Sequence, residues 1–301
     1  MNNSKISIIG VPTDYGQMRR GVDMGPSAIR YAGMVEKLEA IGLNVHDEGD
    51  IRVSNKYQAA IDNKQLLNLD EVVDVSTALA YKVHLTVEEK EFPLVLGGDH
   101  SIAIGTFAGL GKHYKNLGVI WFDAHADLNT PETTPSGNIH GMPLAVSLGL
   151  GHERLVQILG YAPKIKAENV IIIGARSVDS GEKELIHMQG IKVYSMHEID
   201  KLGMTAVMDD ALSYLKARNV DGLHLSLDLD GLDPLYTPGV GTPVPGGLTY
   251  RESHLSMEMI HESGMLTSAE FVEVNPILDE KNKTADVAVA LMGSLFGETL
   301  V

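Results

Sequence analysis

The chain has 301 residues, 44% of them hydrophobic and 21% charged, the composition of a water-soluble globular protein with enough apolar material for one large α/β domain over residues 1–301. Its 24 Lys and Arg against 40 Asp and Glu give a formal net charge of -16, which repels phosphate backbones and anionic lipid and excludes nucleic acid and membrane surfaces as expected partners. The absence of cysteine excludes disulfides, zinc–thiolate sites and a thiol nucleophile and, with no signal-like apolar N-terminus, points to the cytoplasm; the apolar stretch Val287 to Phe296 is far shorter than the ~20 residues of a membrane span.

Lys5 to Gly10 reads as a first strand. Gly21 to Ser27 leads into a helix with Pro26 in its first turn and Gly42 past its end, and Leu43 to Glu48 forms a second strand. Between Asn68 and Glu89, Val72, Val73, Val75, Leu79, Val83 and Leu85 recur near the helical period over too long a span for a strand, which predicts an amphipathic helix. Phe92 to Leu96 is a short apolar strand running into Gly97-Gly98-Asp99-His100-Ser101, with a helix over Ile102 to Tyr114. Leu117 to Phe122 is the fourth strand and delivers Asp123, His125 and Asp127. The stretch from Asn129 to His140, rich in Thr, Pro, Ser, Gly and Asn and without periodicity, predicts a long functional loop.

Val170 to Ile173 and Ile191 to Tyr194 are the fifth and sixth strands, with Arg176 just beyond the fifth. From Leu223 to Leu229 the pattern alternates, leucines at 223, 225, 227 and 229 on one face and His224, Ser226, Asp228 and Asp230 on the other. A helix over Thr249 to His261 closes at Gly264, Thr267 to Val274 is the eighth strand with Glu273 near its end, and Asp286 to Phe296 is a terminal helix. Strands separated by helical connections predict a parallel sheet covered on both faces, with an eight-stranded barrel as the alternative. The acids and imidazoles fall at the carboxyl ends of strands three, four, seven and eight, so these four should be neighbours.

In extended backbone, the i, i+2, i+4 spacing of Asp123, His125 and Asp127 points all three side chains one way. Two carboxylates and an imidazole on one spot repel and cost desolvation unless a cation lies between them. With His100, Asp228 and Asp230 they make a hard O/N donor set without sulfur, suited to Mn²⁺, then to Mg²⁺, Co²⁺, Ni²⁺ or Fe²⁺. Four carboxylates offset two divalent ions, a pair able to share a water and lower its pKa. Taken singly, Asp-x-His-x-Asp also fits a capped polar loop and Asp228 to Pro234 a turn. Asp233 suits that turn, and Asp99 suits a role behind the metal ligands. His140 fits an acid/base group or a hydrogen-bonded loop histidine. Glu273, an acid in an apolar strand, needs a partner such as a cationic substrate head.

The motifs Gly-Gly-Asp-His-Ser (97–101), Asp-Ala-His-Ala-Asp (123–127), Ser-Gly-Asn-Ile-His-Gly (136–141), Ser-Leu-Asp-Leu-Asp-Gly-Leu-Asp-Pro (226–234), Gly-Thr-Pro-Val-Pro-Gly-Gly-Leu-Thr (241–249) and Glu-Val-Asn-Pro (273–276) together resemble the ureohydrolase family, and its arginase branch most closely. The resemblance implies two Mn²⁺ per chain. One would take His100, Asp123, Asp127 and Asp228, and the other His125, Asp123, Asp228 and Asp230, with Asp123 and Asp228 bridging. It implies an open, mostly parallel eight-stranded sheet between helix layers, with strands three, eight, seven and four side by side. It implies hydrolysis of the L-arginine guanidinium to L-ornithine and urea by metal-activated water, Glu273 orienting the guanidinium, His140 serving as proton shuttle or general acid, and Thr242 lying near the guanidinium end.

Agmatine and other guanidino compounds are alternative ureohydrolase substrates. Asn129, Thr134, Ser136 and Asn138 supply neutral donors suited to an α-carboxylate. By resemblance, Asp179 helps bind the α-amino group with Glu182 close behind. Many arginases carry a second acid where this chain has Ser177. The family also implies a homo-oligomer, trimer or hexamer. A non-catalytic metal-binding protein on this scaffold would keep the six ligands without needing His140 or Glu273. A two-metal phosphohydrolase would need cationic clamps or a phosphate cradle, and only Arg176 stands at a strand end.

Overall fold

In the computed structural model, which describes residues 5–54 and 66–299, the apolar runs become β1 (Ile6–Val11), β2 (Val45–Asp50), β3 (Phe92–Gly97), β4 (Leu117–Phe122), β5 (Val170–Ala175), β6 (Lys192–Ser195), β7 (Gly222–Asp228) and β8 (Leu266–Val272). They form one eight-stranded sheet in the order β2-β1-β3-β8-β7-β4-β5-β6. Every pairing is parallel, where the expectation was mostly parallel. The sheet is open, which removes the barrel, and β3, β8, β7 and β4 are consecutive. β1, β3, β4, β5 and β7 are buried along their whole length, which is why their sequences are apolar runs. The edge strand β2, Val-His-Asp-Glu-Gly-Asp, carries charge instead, which blunts edge-to-edge pairing.

The helices are α1 (Gly25–Tyr31), α2 (Met34–Ala40), α3 (Leu69–Glu88), α4 (Ala103–Leu110), α5 (Pro143–Ser147), α6 (Glu153–Val156), α7 (Ser180–Gln189), α8 (Met196–Leu202), α9 (Met204–Ala217), α10 (Tyr250–Ser263) and α11 (Lys283–Leu295). They divide between the two faces. Ile8, Leu94, Ile120 and Leu225 pack with α1, α2, α9, α10 and α11 in one core. Ile9, Val95, Val119 and Ile172, one position along each strand, pack with α3, α4 and α5 in the other. Among the described residues no helix is long and apolar enough to cross a membrane.

Four local expectations change. The helix after Pro26 is two helices, because Gly33 adopts the left-handed conformation (φ 84°) between α1 and α2. Leu85, counted in the apolar stripe of α3, is exposed. The helix expected over Ile102 to Tyr114 opens as a 3₁₀ turn over His100–Ile102, and α4 ends at Leu110. β7 stops at Asp228 and β8 at Val272, so Asp230 lies in a 3₁₀ turn and Glu273 lies beyond its strand, with φ 65°. The cause is hydrogen bonding outside the sheet ladder. Asp228 Oδ1 accepts Asp230 N–H at 2.7 Å, and Glu273 N–H donates to Gly98 O at 2.9 Å.

Candidate metal centre

The site begins where β3 leaves the sheet. Gly98 passes so close to the loop after β1 that a Cβ there would sit 2.0 Å from Thr13 O. Asp99, fully buried, then caps the following 3₁₀ turn, its Oδ1 accepting Ser101 N–H and its Oδ2 accepting Gly16 N–H, both at 2.9 Å. Burial, with the charge of Glu273, pushes its carboxyl up to about 6. With both oxygens engaged it supports the turn that presents His100.

The His100 ring lies flat on Trp121, centroids 4.0 Å apart and planes within 4°. Its Nδ1 faces three carboxylates, 3.2 Å from Asp123 Oδ2 and 3.1 Å from both Asp127 Oδ2 and Asp228 Oδ2, and makes no well-directed hydrogen bond to any of them. His125 Nδ1 lies 3.3 Å from Asp123 Oδ1 and 3.2 Å from Asp230 Oδ2. Two ligand groups result, His100–Asp123–Asp228 and Asp123–His125–Asp230, with donor atoms within 4.8 Å of one another in each. Asp123 belongs to both, one oxygen toward each imidazole. Asp228 turns Oδ2 to His100, while Oδ1 accepts the Asp230 N–H.

The convergence does not arise as the spacing argument assumed. β4 ends at Phe122, and Asp127 is left-handed (φ 52°), its carbonyl accepting the N–H groups of Leu144 and Ala145 at the start of α5. The backbone bends the Asp127 side chain back to His100. Strain of this kind persists where surrounding bonds over-determine it.

Electrostatics make the case for a cation. Burial raises the carboxyls of Asp127, Asp228 and Asp230, with the charge of neighbouring carboxylates adding to the effect, Asp127 reaching about 7. Against burial, the surrounding carboxylates raise His100 well above its usual range and His125 to about 12. Protons are thus drawn to do the neutralising. Three carboxylates and two imidazoles in these groups, with Asp127 alongside at 3.1 Å from His100 and one nitrogen unpartnered, fit two divalent cations as a hard O/N donor set.

Above the cluster opens a cleft of about 590 Å³, counting space open to solvent, with His125, Asp127, Asp228 and Asp230 at its floor and Asn129, Thr134, Ser136, Asn138, His140, Ser177, Asp179, Glu182 and Thr242 in its walls. Thr134 Oγ1 accepts Gly137 N–H at 3.0 Å and Ser136 Oγ accepts Asn138 N–H at 3.2 Å, so both hydroxyls keep their own proton for donation. Asn129 Nδ2 donates to Asp179 Oδ2 at 3.0 Å, joining the two walls. Thr242 Oγ1 donates to Asp230 Oδ2 at 3.0 Å. Glu182 is differently employed: buried, it accepts Leu128 N–H at 3.0 Å and Asp179 N–H at 2.8 Å, bracing the rim through main chain.

Glu273 does not line this cleft. It stands 1% exposed behind His140, its Oε1 at 3.0 Å from both His140 Nδ1 and the His100 N–H, and its Oε2 accepting Gln17 Nε2 at 2.8 Å. Burial would lower His140, but the hydrogen bond and charge of Glu273 raise it to about 9. A raised imidazole contributes stability that is complete below its unfolded value of 6.5 and is lost as pH rises through about 9. In Glu273→Gln the titration midpoint of His140 is expected to fall by NMR of metal-free protein, and the stability gap from wild type to narrow above about pH 9. An unmoved midpoint would remove Glu273 as the cause.

Several contributors were not legible from motif spacing. Trp121, read as part of an apolar run, donates from Nε1 to Asp123 Oδ2 at 3.0 Å. Gln17 has no motif around it, and only its contact with Glu273 reveals it. Arg176, noted only as a cation at a strand end, is consumed by protein: its guanidinium donates to the main-chain oxygens of Gly174, Asp230, Gly231, Leu232 and Val244, which leaves no phosphate clamp here.

Comparison with known proteins agrees with this arrangement. The family model described as Arginase family matches residues 4–297. The arginase of Bacillus caldovelox is 64% identical over 297 residues, covering 98% of this chain and 99% of that protein. Its native crystal structure superposes with a TM-score of 0.96 at 64% identity, covering 99% of this chain and all of that one. An arginase structure from Entamoeba histolytica, in complex with L-ornithine, matches at 35% identity with a TM-score of 0.90 over 99% of this chain and 100% of the other. With its sheet order, its shared carboxylate and near-complete matches in both sequence and structure, this chain belongs to the arginase family.

Proposed function

We propose that the protein hydrolyses the guanidinium group of L-arginine to urea and L-ornithine. The observation that carries the reading is the buried Asp123 shared between two imidazole–carboxylate groups beneath a polar cleft floored by His125, Asp127, Asp228 and Asp230. His100, Asp123, Asp127 and Asp228 would hold one divalent ion and His125, Asp123, Asp228 and Asp230 the other. The all-O/N donor set favours Mn²⁺. Such a pair, when bound, lowers the pKa of a shared water toward neutrality and so supplies the nucleophile.

The remaining work falls to side chains. In the net reaction a C–O bond forms at the guanidinium carbon, and the bond to the side-chain nitrogen breaks. The leaving nitrogen needs a proton. His140, held protonated near neutral pH by Glu273, stands at the cleft wall to give it. Glu273 keeps the imidazole oriented through Oε1 while its Oε2 accepts the Gln17 amide, so its charge reaches the guanidinium only from behind His140. Thr242 steadies Asp230 beside the reacting end. At the far end, Thr134, Ser136, Asn129 and Asn138 would receive the α-carboxylate and Asp179 the α-amino group, with Glu182 fixing the rim. Ser177, facing the same cleft, offers a neutral hydroxyl where many arginases carry an acid.

Agmatine lacks the α-carboxylate and would forfeit these contacts. Two charge-assisted hydrogen bonds at about 1.5–3 kcal/mol each correspond to roughly 10²–10⁴ in kcat/KM. A urea-release assay of metal-stripped, Mn²⁺-reloaded protein on L-arginine, agmatine and guanidinobutyrate is expected to show that preference for L-arginine. Equal turnover of arginine and agmatine would overturn the substrate assignment. A non-catalytic metal-binding role would leave the His140–Glu273 pair without a task. The family resemblance supports a homotrimer or homohexamer, and the lack of cysteine suits the cytoplasm.

A further inference from the structure

Beneath the metal centre lies a second set of ionisable side chains that the reaction does not use. The register of β7 against β8 pairs His224 with Ser268 and Ser226 with Glu270. All four side chains are completely buried. Ser226 Oγ lies 2.8 Å from His100 Nε2 and donates to Glu270 Oε1 at 2.8 Å. His224 Nε2 stands 3.5 Å from that same Oε1, while its Nδ1 bonds Ser268 Oγ at 2.9 Å and Phe107 packs edge-on against the ring at 5.1 Å. Glu270 Oε2 has no hydrogen-bond partner among the described residues. An anion buried this deeply is costly unless it is paired and hydrogen-bonded.

The direction of the hydrogen bonds shows what depends on it. An ionised carboxylate only accepts, so the Ser226 proton points to Glu270. The Ser226 oxygen is then left to accept, and what it accepts is the Nε2–H of His100. A neutral His100 with its proton on Nε2 has a bare lone pair on Nδ1, the atom facing Asp123, Asp127 and Asp228. Were Ser226 free to rotate and donate to Nε2, the proton would sit on Nδ1 and block the metal position. Outer partners of metal-bound histidines fix the tautomer in this way.

We propose that the buried Glu270–His224 pair, acting through Ser226, is a positioning device that holds His100 in its metal-binding tautomer; the inference rests on His100 being a ligand. His224, its Nε2 3.5 Å from Oε1, is the polar counterpart that keeps Glu270 an acceptor. Burial raises the Glu270 carboxyl, but His224, with lesser help from His100 and Thr106, brings it below its ordinary range.

The test is a stepwise calorimetric titration of Mn²⁺ into metal-free wild type, Glu270→Gln, Ser226→Ala and the double variant, with metal stoichiometry measured alongside. In Glu270→Gln the side-chain amide can donate to Ser226 and reverse the chain. One of the two Mn²⁺ ions is expected to bind about 10–100-fold more weakly, with the other unchanged. The double variant is expected to be no worse than Ser226→Ala alone, since Glu270 acts through that hydroxyl. Wild-type affinity for both ions in Glu270→Gln, an equal weakening of both, or additive losses in the double variant would each overturn the proposal. Should Glu270→Gln fail to fold, His224→Gln with the same expected one-ion loss takes its place. A His100→Ala variant that still takes up two ions with wild-type affinity would instead overturn the ligand reading itself.

Discussion

Asp123→Ala is expected to lose urea release and both equivalents of divalent metal together. The carboxylate faces both imidazoles, Oδ2 toward His100 at 3.2 Å and Oδ1 toward His125 at 3.3 Å. Its removal takes a donor from each position at once. It also leaves three buried carboxylates with less reason to stay ionised, since a divalent pair is what offsets them. The loss should exceed the roughly 10–100-fold that follows removal of an outer partner. Circular dichroism separates site loss from unfolding, and metal analysis of the gel-filtered variant reads the outcome. Two ions retained per chain would show that Asp123 is not shared.

His140→Ala is expected to lower kcat by about 10²–10⁴ while both ions stay bound. The imidazole bonds Glu273 through Nδ1 and its main-chain N–H donates to Gly16 O, so its side chain reaches the ligand groups only through Glu273, which still accepts the His100 N–H. The separation of rate from metal content is the discriminating result. A kcat equal to wild type would remove His140 from the proton transfer. Loss of metal in parallel with rate would make it a structural neighbour of the cluster instead.

The sheet was legible because a parallel strand buried on both faces must be apolar throughout, and Leu117–Phe122 and Phe92–Leu96 are short apolar runs in a chain otherwise rich in charge. The acids that follow them stand out against that background, so the donor types at the strand ends could be named from sequence. What sequence could not show is how the chain turns after the strands. The left-handed backbone of Asp127 and Glu273 is imposed by bonds to distant partners, Leu144 and Ala145 for one and Gly98 for the other. Gln17 meets Glu273 from 256 positions away, which no spacing argument anticipates. Glu182 shows the reverse limit: its acid was visible, but its engagement with two main-chain N–H groups was not.

Arg176 has a consequence for how such a site stays dry. Where β5 and β7 release their chain, carbonyl groups lose their sheet partners and ordinarily turn to water. Here one guanidinium meets four of them, at Gly174, Asp230, Gly231 and Leu232, together with Val244 O in the loop beyond. Burial lowers its pKa, with Asp230, Asp123 and Asp233 opposing that shift. The side chain amounts to a hydration shell tethered by covalent bonds, one that neither exchanges nor diffuses, and the segment carrying Asp230 can remain irregular without admitting solvent beneath the reaction.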